Sequence, residues 1–262
     1  RIGASGSGFD ELLDSVVSLR ISDKAPRDVY YYGAFANASS FDAYCGGGCV
    51  TGLCGLTDDE SDSTVRACVG VGFTGKYSAE TMTHEVGHAH GRYHAPCGGA
   101  AGTDPSYPYT GAKIGVWGYD LVAKKLMDPA RNVDLMSYCN PVFVSDFQYQ
   151  GLLERMAAIA SGKMMKLPAP AAYRFVRVRA DGSLAWGKPV ELHEPPMGAP
   201  RAILFEDALG APLATAVGHF YPYDHLPGGM LLVPQGPAGF TSLRVIGVAG
   251  TVDARLDATL PR

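Results

Sequence analysis

Apolar positions recur with a helical period in the N-terminal part of this chain and with a period of two in the C-terminal part. After a Gly- and Ser-rich stretch at 3–8, Phe9, Leu12, Leu13, Val16, Val17 and Leu19 make the stripe of an amphipathic helix. Residues 29–35, V-Y-Y-Y-G-A-F, are aromatic and β-branched and predict a strand, followed by a short strand at 50–53 and another at 65–73. The last of these leads into a helix whose N-cap is read as Ser78, with Glu80 in the first turn where the helix dipole favours negative charge. A long Gly- and Pro-containing passage follows, and then Ser145 and Gln148 form a capping box for a helix reaching about residue 160. Beyond a Pro-stiffened linker at 166–172 the pattern changes. Short alternating runs at 173–178 and 183–186 meet at Asp181-Gly182, a hairpin signal, and five more follow at 202–205, 213–220, 230–233, 242–248 and 251–258. These spacings predict an α+β domain over 1–165 and a small all-β sandwich over 173–262.

Composition narrows the classes. Of 262 residues 47% are hydrophobic and 18% charged, which is ample for a core, and a net charge of −4 without a basic cluster argues against nucleic acid as a partner. No apolar run is long enough for a membrane span. The chain starts at Arg1 without an initiator methionine or a signal peptide, and reads as a processed form. All six cysteines lie at or before residue 139, and an even count suggests three disulfides in an oxidising, extracytoplasmic setting. Cys45, Cys49 and Cys54 offer the rival reading of a thiolate-bound zinc. The acidic loop of Asp58, Asp59, Glu60 and Asp62 offers Ca2+ a site, though without EF-hand spacing, and a solvated turn is the preferred reading.

The chemistry concentrates in residues 83–97, T-H-E-V-G-H-A-H-G-R-Y-H-A-P-C. Residues four apart on a helix are separated by about 400°, so His84 and His88 share one face and can grip a metal ion. Glu85 is turned by about 100°, within reach of a water on that ion but outside its ligand set. Gly91 supplies the positive φ that ends the helix and brings His94 back as a third ligand. Three nitrogen ligands leave one tetrahedral position open, as in catalytic zinc sites. His90 lies on another face and reads as a bystander.

This H-E-x-x-H-x-x-G-x-x-H stretch resembles the metzincin clan of zinc endopeptidases, and Asp134-Leu135-Met136-Ser137-Tyr138-Cys139 resembles the clan's Met-turn. The Met-Ser-Tyr order is similar to that of serralysins, and astacins also carry Tyr two places after the Met. Ala95 departs from both, which place Glu after the third histidine; the chain looks closer to secreted bacterial metzincins of another type. The resemblance covers about the first 165 residues. It implies a twisted mixed sheet, a zinc helix, a Met-turn and a closing helix.

It further implies one Zn2+ on His84, His88 and His94, Glu85 as general base, Tyr138 as a partner of the tetrahedral oxyanion, and Met136 as an apolar floor beneath the histidines. A monomeric enzyme hydrolysing extracellular proteins or peptides follows, with every catalytic candidate ahead of residue 166 and the β-rich tail dispensable for short peptides. Because the clan's Met-turn passes beneath the histidines, the resemblance also implies a Cys97–Cys139 disulfide, leaving Cys45, Cys49, Cys54 and Cys68 to pair in any of three ways. Two rivals keep the zinc. One is a glycoprotein- or mucin-directed protease whose Trp186, Tyr221 and Tyr223 stack on sugar rings; the other is a non-catalytic binding or adhesion module. His219, Asp224 and His225 invite a metal reading but are taken as ordinary loop residues, since their spacing fixes no geometry.

Overall fold

The computed structural model describes residues 2–162, 167–248 and 252–257. Its first part contains α1 (Phe9–Ser22), β1 (Tyr31–Phe35), α2 (Phe41–Cys45), β2 (Gly52–Cys54), β3 (Ala67–Val71) and α3 (Lys76–Ala89). β3 is a continuous run of small and apolar residues, A-C-V-G-V, and so can be buried on both faces; it is the middle strand, parallel to β1 and antiparallel to β2. The sheet is thus mixed, as expected. α3 starts earlier than its sequence suggests. Gly75 (φ 123°) stands at the N-cap, and Ser78 lies inside the helix with a hydroxyl that caps nothing.

A small hairpin, β4 (Gly118–Asp120) and β5 (Lys125–Met127), interrupts the passage read as irregular, and β6 (Val133–Asp134) pairs in parallel with β7 (Val142–Phe143) around the Met-bearing turn. The closing helix α4 (Asp146–Ser161) is capped by Ser145, whose hydroxyl accepts from Gln148 N at 3.0 Å. Only half of the capping box forms. The Ser145 amide donates to Asp134 instead, and the Gln148 side chain accepts from Arg92 Nε.

The C-terminal strands are β8 (Ala171–Val178), β9 (Leu184–Leu192), β10 (Ala199–Glu206), β11 (Pro212–Pro222), β12 (Gly229–Pro234), β13 (Ser242–Val248) and β14 (Val252–Asp257). They do not form a sandwich. All seven lie in one antiparallel sheet, in the order β14-β13-β10-β11-β12-β8-β9, which curls until Trp186 of β9 donates to the Asp257 carbonyl of β14 at 2.7 Å. Alternation tells which face each residue takes but not how many sheets the strands make, and here both faces find cover. Val176, Ile203, Phe205, Leu231, Val233, Leu243 and Val245 pack together inside the curl.

The opposite face packs on the N-terminal part. Phe175, Tyr221, Met230 and Leu232 of the curled sheet share one core with Phe9, Leu13 and Val17 of α1 and with Leu53, Val65, Ala67 and Val69. β12, G-M-L-L-V-P, is consequently buried on both faces. Polar ties reinforce the seam. Arg177 Nη1 lies 3.1 Å from the buried Asp14 carboxylate, and the buried Asp62 carboxylate accepts from Tyr221 OH at 2.6 Å and Met197 N at 2.8 Å. Part of the expected linker, residues 163–166, lies outside the described residues, as do 251 and 258 of the expected last strand. Leu167 already packs against the shared core. None of the described helices is long and apolar enough to cross a membrane.

Candidate active site

Helix α3 ends as a helix must to return a third histidine. Gly91 (φ 73°) takes the left-handed conformation, its amide donating to His88 O at 2.8 Å while the Arg92 amide donates to Gly87 O at 3.0 Å, the two bonds of a Schellman motif. The chain doubles back, and His84, His88 and His94 converge: His88 Nε2 lies 3.1 Å from the Nε2 of each of the other two. Their outward nitrogens are all spoken for. Nδ1 of His84 meets Leu135 O at 2.7 Å, that of His88 meets Arg92 O at 2.6 Å, and that of His94 meets Ala101 O at 2.5 Å. A carbonyl only accepts, so each Nδ1 carries the proton and each Nε2 presents a lone pair to the centre.

Burial, ahead of every other cause, keeps these rings neutral: it lowers His84 to about 3 and His88 well below the usual imidazole range, and it lowers His94 as well. Three inward lone pairs with no proton between them repel one another unless a cation sits among them. The donor set fits a metal ion, since imidazole nitrogens about 2.0–2.1 Å from a tetrahedral ion stand roughly 3.3 Å apart. Two buried carboxylate oxygens beside the cluster, Glu85 Oε2 and Asp224 Oδ2, find no hydrogen-bond partner, a further mark of a place built for a cation.

The Met-bearing turn lies directly below. Asp134 shapes it, accepting from Met136 N at 2.7 Å and Ser145 N at 2.8 Å, and Ala95 N donates to Met136 O at 2.9 Å. Met136 is buried against Gly87, where a Cβ would come within 2.5 Å of the thioether sulfur. Cys97 and Cys139 are disulfide-bonded with Cα atoms 5.7 Å apart, which ties the exit of the histidine segment to the turn. Tyr138, half exposed, turns its ring toward His94 at 5.0 Å and faces a cleft of about 830 Å³ that Glu85, His84, Thr51 and Phe143 also line.

Glu85 is fully buried beneath β2, so near Gly52 that a Cβ there would collide with the carboxylate. Burial raises its pKa well above the usual carboxyl range; the charge of His225 opposes that shift and Asp224 adds to it. The remaining residues of the site come from the other end of the chain. The β11–β12 connection is stitched to β2 by Cys54 N donating to Asp224 Oδ1 at 3.0 Å, Asp224 N to Cys54 O at 3.3 Å, and Leu56 N to Pro222 O at 2.9 Å. That seam sets His225 Nε2 3.0 Å from Glu85 Oε1 and His225 Nδ1 2.5 Å from Tyr138 OH. Burial works against a charge on His225, but the Asp224 and Glu85 carboxylates outweigh it and hold its pKa well above normal. Asp224 moves the other way: burial would raise it, yet the charge of His225 brings it below the usual range.

The reading of Asp224 and His225 as ordinary loop residues is therefore corrected. Their partners in the site lie far away in sequence, and an Asp-His pair in a Pro- and Gly-flanked turn was the only signal. His219 is not gathered in; its Nδ1 faces Gly198 O at 3.3 Å. His90 stacks on Tyr30 with ring centres 4.1 Å apart, away from the centre.

Other expectations also change. Cys45 pairs with Cys49 and Cys54 with Cys68, so no thiolate is left for a second zinc. The acidic loop is wired internally: Asp58 accepts from Tyr93 OH, Asp59 from Ser61 and Asp62 from Thr64 N, while Arg155 donates to the carbonyls of Thr57, Asp58 and Asp59. These carboxylates are engaged with protein donors, not aimed together at a calcium ion. Tyr221 and Tyr223 are buried and Trp186 lies under Arg174, so none of the three is an open platform for sugar.

A family model described as Peptidase M66 matches residues 66–176, a span that runs from the start of β3 through the histidine segment, the Met-bearing turn and α4. That match supports a metallopeptidase, and so implies a metal. No curated protein and no solved structure matches the chain. The three disulfides are consistent with an extracellular protein.

Proposed function

We propose that the protein is a metzincin-like zinc endopeptidase that hydrolyses peptide bonds in extracellular proteins. One observation carries the reading: three neutral histidines turn their Nε2 lone pairs to one centre, that of His88 3.1 Å from each of the other two, with a buried carboxylate one residue from the first of them. His84, His88 and His94 would hold the ion. When bound, zinc polarises a water and the scissile carbonyl and lowers the pKa of the water toward about 7.

The residues of the chain do the rest. Glu85, buried at the end of the cleft, takes a proton from the attacking water as its oxygen bonds to the carbonyl carbon. It then delivers that proton to the nitrogen as the C–N bond breaks, so the products are a carboxylate and an amine. Burial raises the pKa of Glu85, which makes its carboxylate a stronger acceptor for the proton of the water. Tyr138, projecting from the turn into the same cleft, donates its phenolic hydrogen to the oxyanion of the tetrahedral intermediate. Met136 and the Cys97–Cys139 bond hold the histidines from below.

The test is hydrolysis of a peptide library by the native protein, the chelated protein and Glu85→Ala. Activity should vanish on chelation and return with added zinc, while Glu85→Ala keeps one zinc per chain and loses nearly all turnover. Unchanged hydrolysis by Glu85→Ala would falsify this mechanism.

A further inference from the structure

His225 repeats, from the far end of the chain, the two properties that mark the three histidines of the α3 segment. The first is position. The six distances between the ring centres of His84, His88, His94 and His225 are 4.8, 5.3, 4.5, 5.1, 5.1 and 4.9 Å. Four imidazoles bound through one nitrogen to a tetrahedral ion at about 2.0–2.1 Å have ring centres about 5.2 Å apart, because each centre lies about 1.15 Å beyond its ligating atom. The four ring centres therefore mark the corners of a nearly regular tetrahedron with edges of 4.5 to 5.3 Å, close to that size. One nitrogen from each ring lies within 4.8 Å of those of the other three.

The second property is the outer partner. Nδ1 of each of the four rings has an oxygen within hydrogen-bond reach: Leu135 O at 2.7 Å, Arg92 O at 2.6 Å, Ala101 O at 2.5 Å, and for His225 the phenol of Tyr138 at 2.5 Å. An Nδ1–H donated to the phenolic oxygen turns Nε2 toward the cluster; there it pairs with Glu85 Oε1 at 3.0 Å, and a metal ion would take the place of its proton.

We infer that His225 is a fourth protein ligand of the metal, one that closes the coordination position the attacking water has to occupy. The same Nε2 lies 3.0 Å from Glu85 Oε1, where the water activated by that base would have to stand, so imidazole and water compete for one place. A site closed by four protein ligands is of the structural kind, and a catalytic site needs an open position. Turnover then requires His225 to leave, or the ion to take a fifth ligand. Departure of His225 also removes the Nδ1–H bond that holds the Tyr138 hydroxyl in place, so the position opens and the phenol becomes free to turn toward the oxyanion in one event. The loop that carries His225 is anchored at Asp224 to β2, so exchange is a side-chain rotation, with the Asp224 backbone staying in place.

This inference rests on the metal site and not on peptidase activity, and its test reads the metal. X-ray absorption of the zinc-loaded native protein counts imidazoles through their outer-ring scattering. Four imidazoles support the assignment; three imidazoles with one oxygen overturn it. The cobalt-substituted native protein, His225→Gln and His225→Ala give a second reading. Loss of the ligand should admit water, weaken the visible d–d band and raise the metal dissociation constant, measured by chelator competition, at least tenfold. Identical spectra and affinities in folded variants would overturn it. Should neither variant fold, the native X-ray absorption decides alone. Four imidazoles on a protein that cleaves no peptide would sink the peptidase reading and leave this one standing; three on an active peptidase would do the reverse.

Discussion

At the scale of single residues, the site depends on two glycines whose importance lies in what approaches them. Gly87 lets the thioether of Met136 rest directly against the helix backbone, and Gly52 leaves room for the Glu85 carboxylate beside β2. Gly87→Ala forces the buried Met136 to move, and overpacking of this kind costs about 1–3 kcal/mol. A urea titration should show that loss. Gly52→Ala should act differently. The alanine methyl displaces the base and not the ligands, so the variant is expected to bind zinc as tightly as the parent while kcat falls by more than tenfold. Weakened zinc binding with normal kcat would show that the overlap is relieved at the ligands instead. Tyr138→Phe keeps the ring and removes the phenolic donor. It should leave KM near the parent value and lower kcat on the order of 10²-fold, the usual cost of losing one oxyanion partner. Equal kcat in parent and variant would confine Tyr138 to packing.

At the scale of elements, the Met-bearing turn and the histidine segment form one tied unit. The Cys97–Cys139 bond spans a sequence separation of 42, and Tyr138 N and Ala95 N add backbone bonds across the same gap, to Cys97 O and Met136 O. In the chain-entropy account, closing a loop of that length stabilises the fold by about 4 kcal/mol. The double variant Cys97→Ala/Cys139→Ala should lose stability of that order in equilibrium denaturation, and should release zinc at lower denaturant concentration than the parent. A loss below about 1 kcal/mol would mean that the hydrogen bonds alone hold the turn. α3 shows what a sequence motif carries and what it does not. Its C-terminal end is fixed locally, because Gly91 alone supplies the positive φ the Schellman bonds need. Its N-terminal end is not: the chain enters the helix at Gly75, ahead of the better capping residue Ser78, once β3 has fixed where the helix must begin.

At the scale of the whole molecule, the curled sheet is joined to the histidine-bearing part by a common core and by a common site. Phe9, Leu13 and Val17 of α1 share one core with Phe175, Met230 and Leu232, and the ring of His225 lies 4.9 Å from that of His94. The expectation that a chain ending near residue 166 would still cleave short peptides therefore gives way to its opposite. A chain ending at residue 162 leaves one side of this core in water, takes Arg177 from Asp14 and Tyr221 and Met197 from Asp62, and should yield no cooperative thermal transition. A soluble, zinc-binding truncated protein with a sharp transition would show that the seam is dispensable.

What the sequence by itself determined is whatever is encoded within a few helical turns. The H-E-x-x-H spacing, the Gly91 turn, the return of His94 and the Ser145 cap are local, because a helix fixes the direction of residues four apart and one left-handed glycine reverses the chain just beyond its end. The Asp181-Gly182 hairpin is legible for the same reason, and Gly182 does take a positive φ of 80°. The tertiary structure decided the rest. Alternation marked the strands after residue 172 but left open whether they fold into two sheets or one, since both arrangements bury the same alternate residues. It also left Asp224 and His225 without a partner in view. Their place beside Glu85 and Tyr138 follows from Cys54 of β2 and Asp224 of the β11–β12 connection sharing hydrogen bonds across a separation of 170 residues. Contacts at that separation are made by the packing of a shared core, and no local pattern of side chains records them.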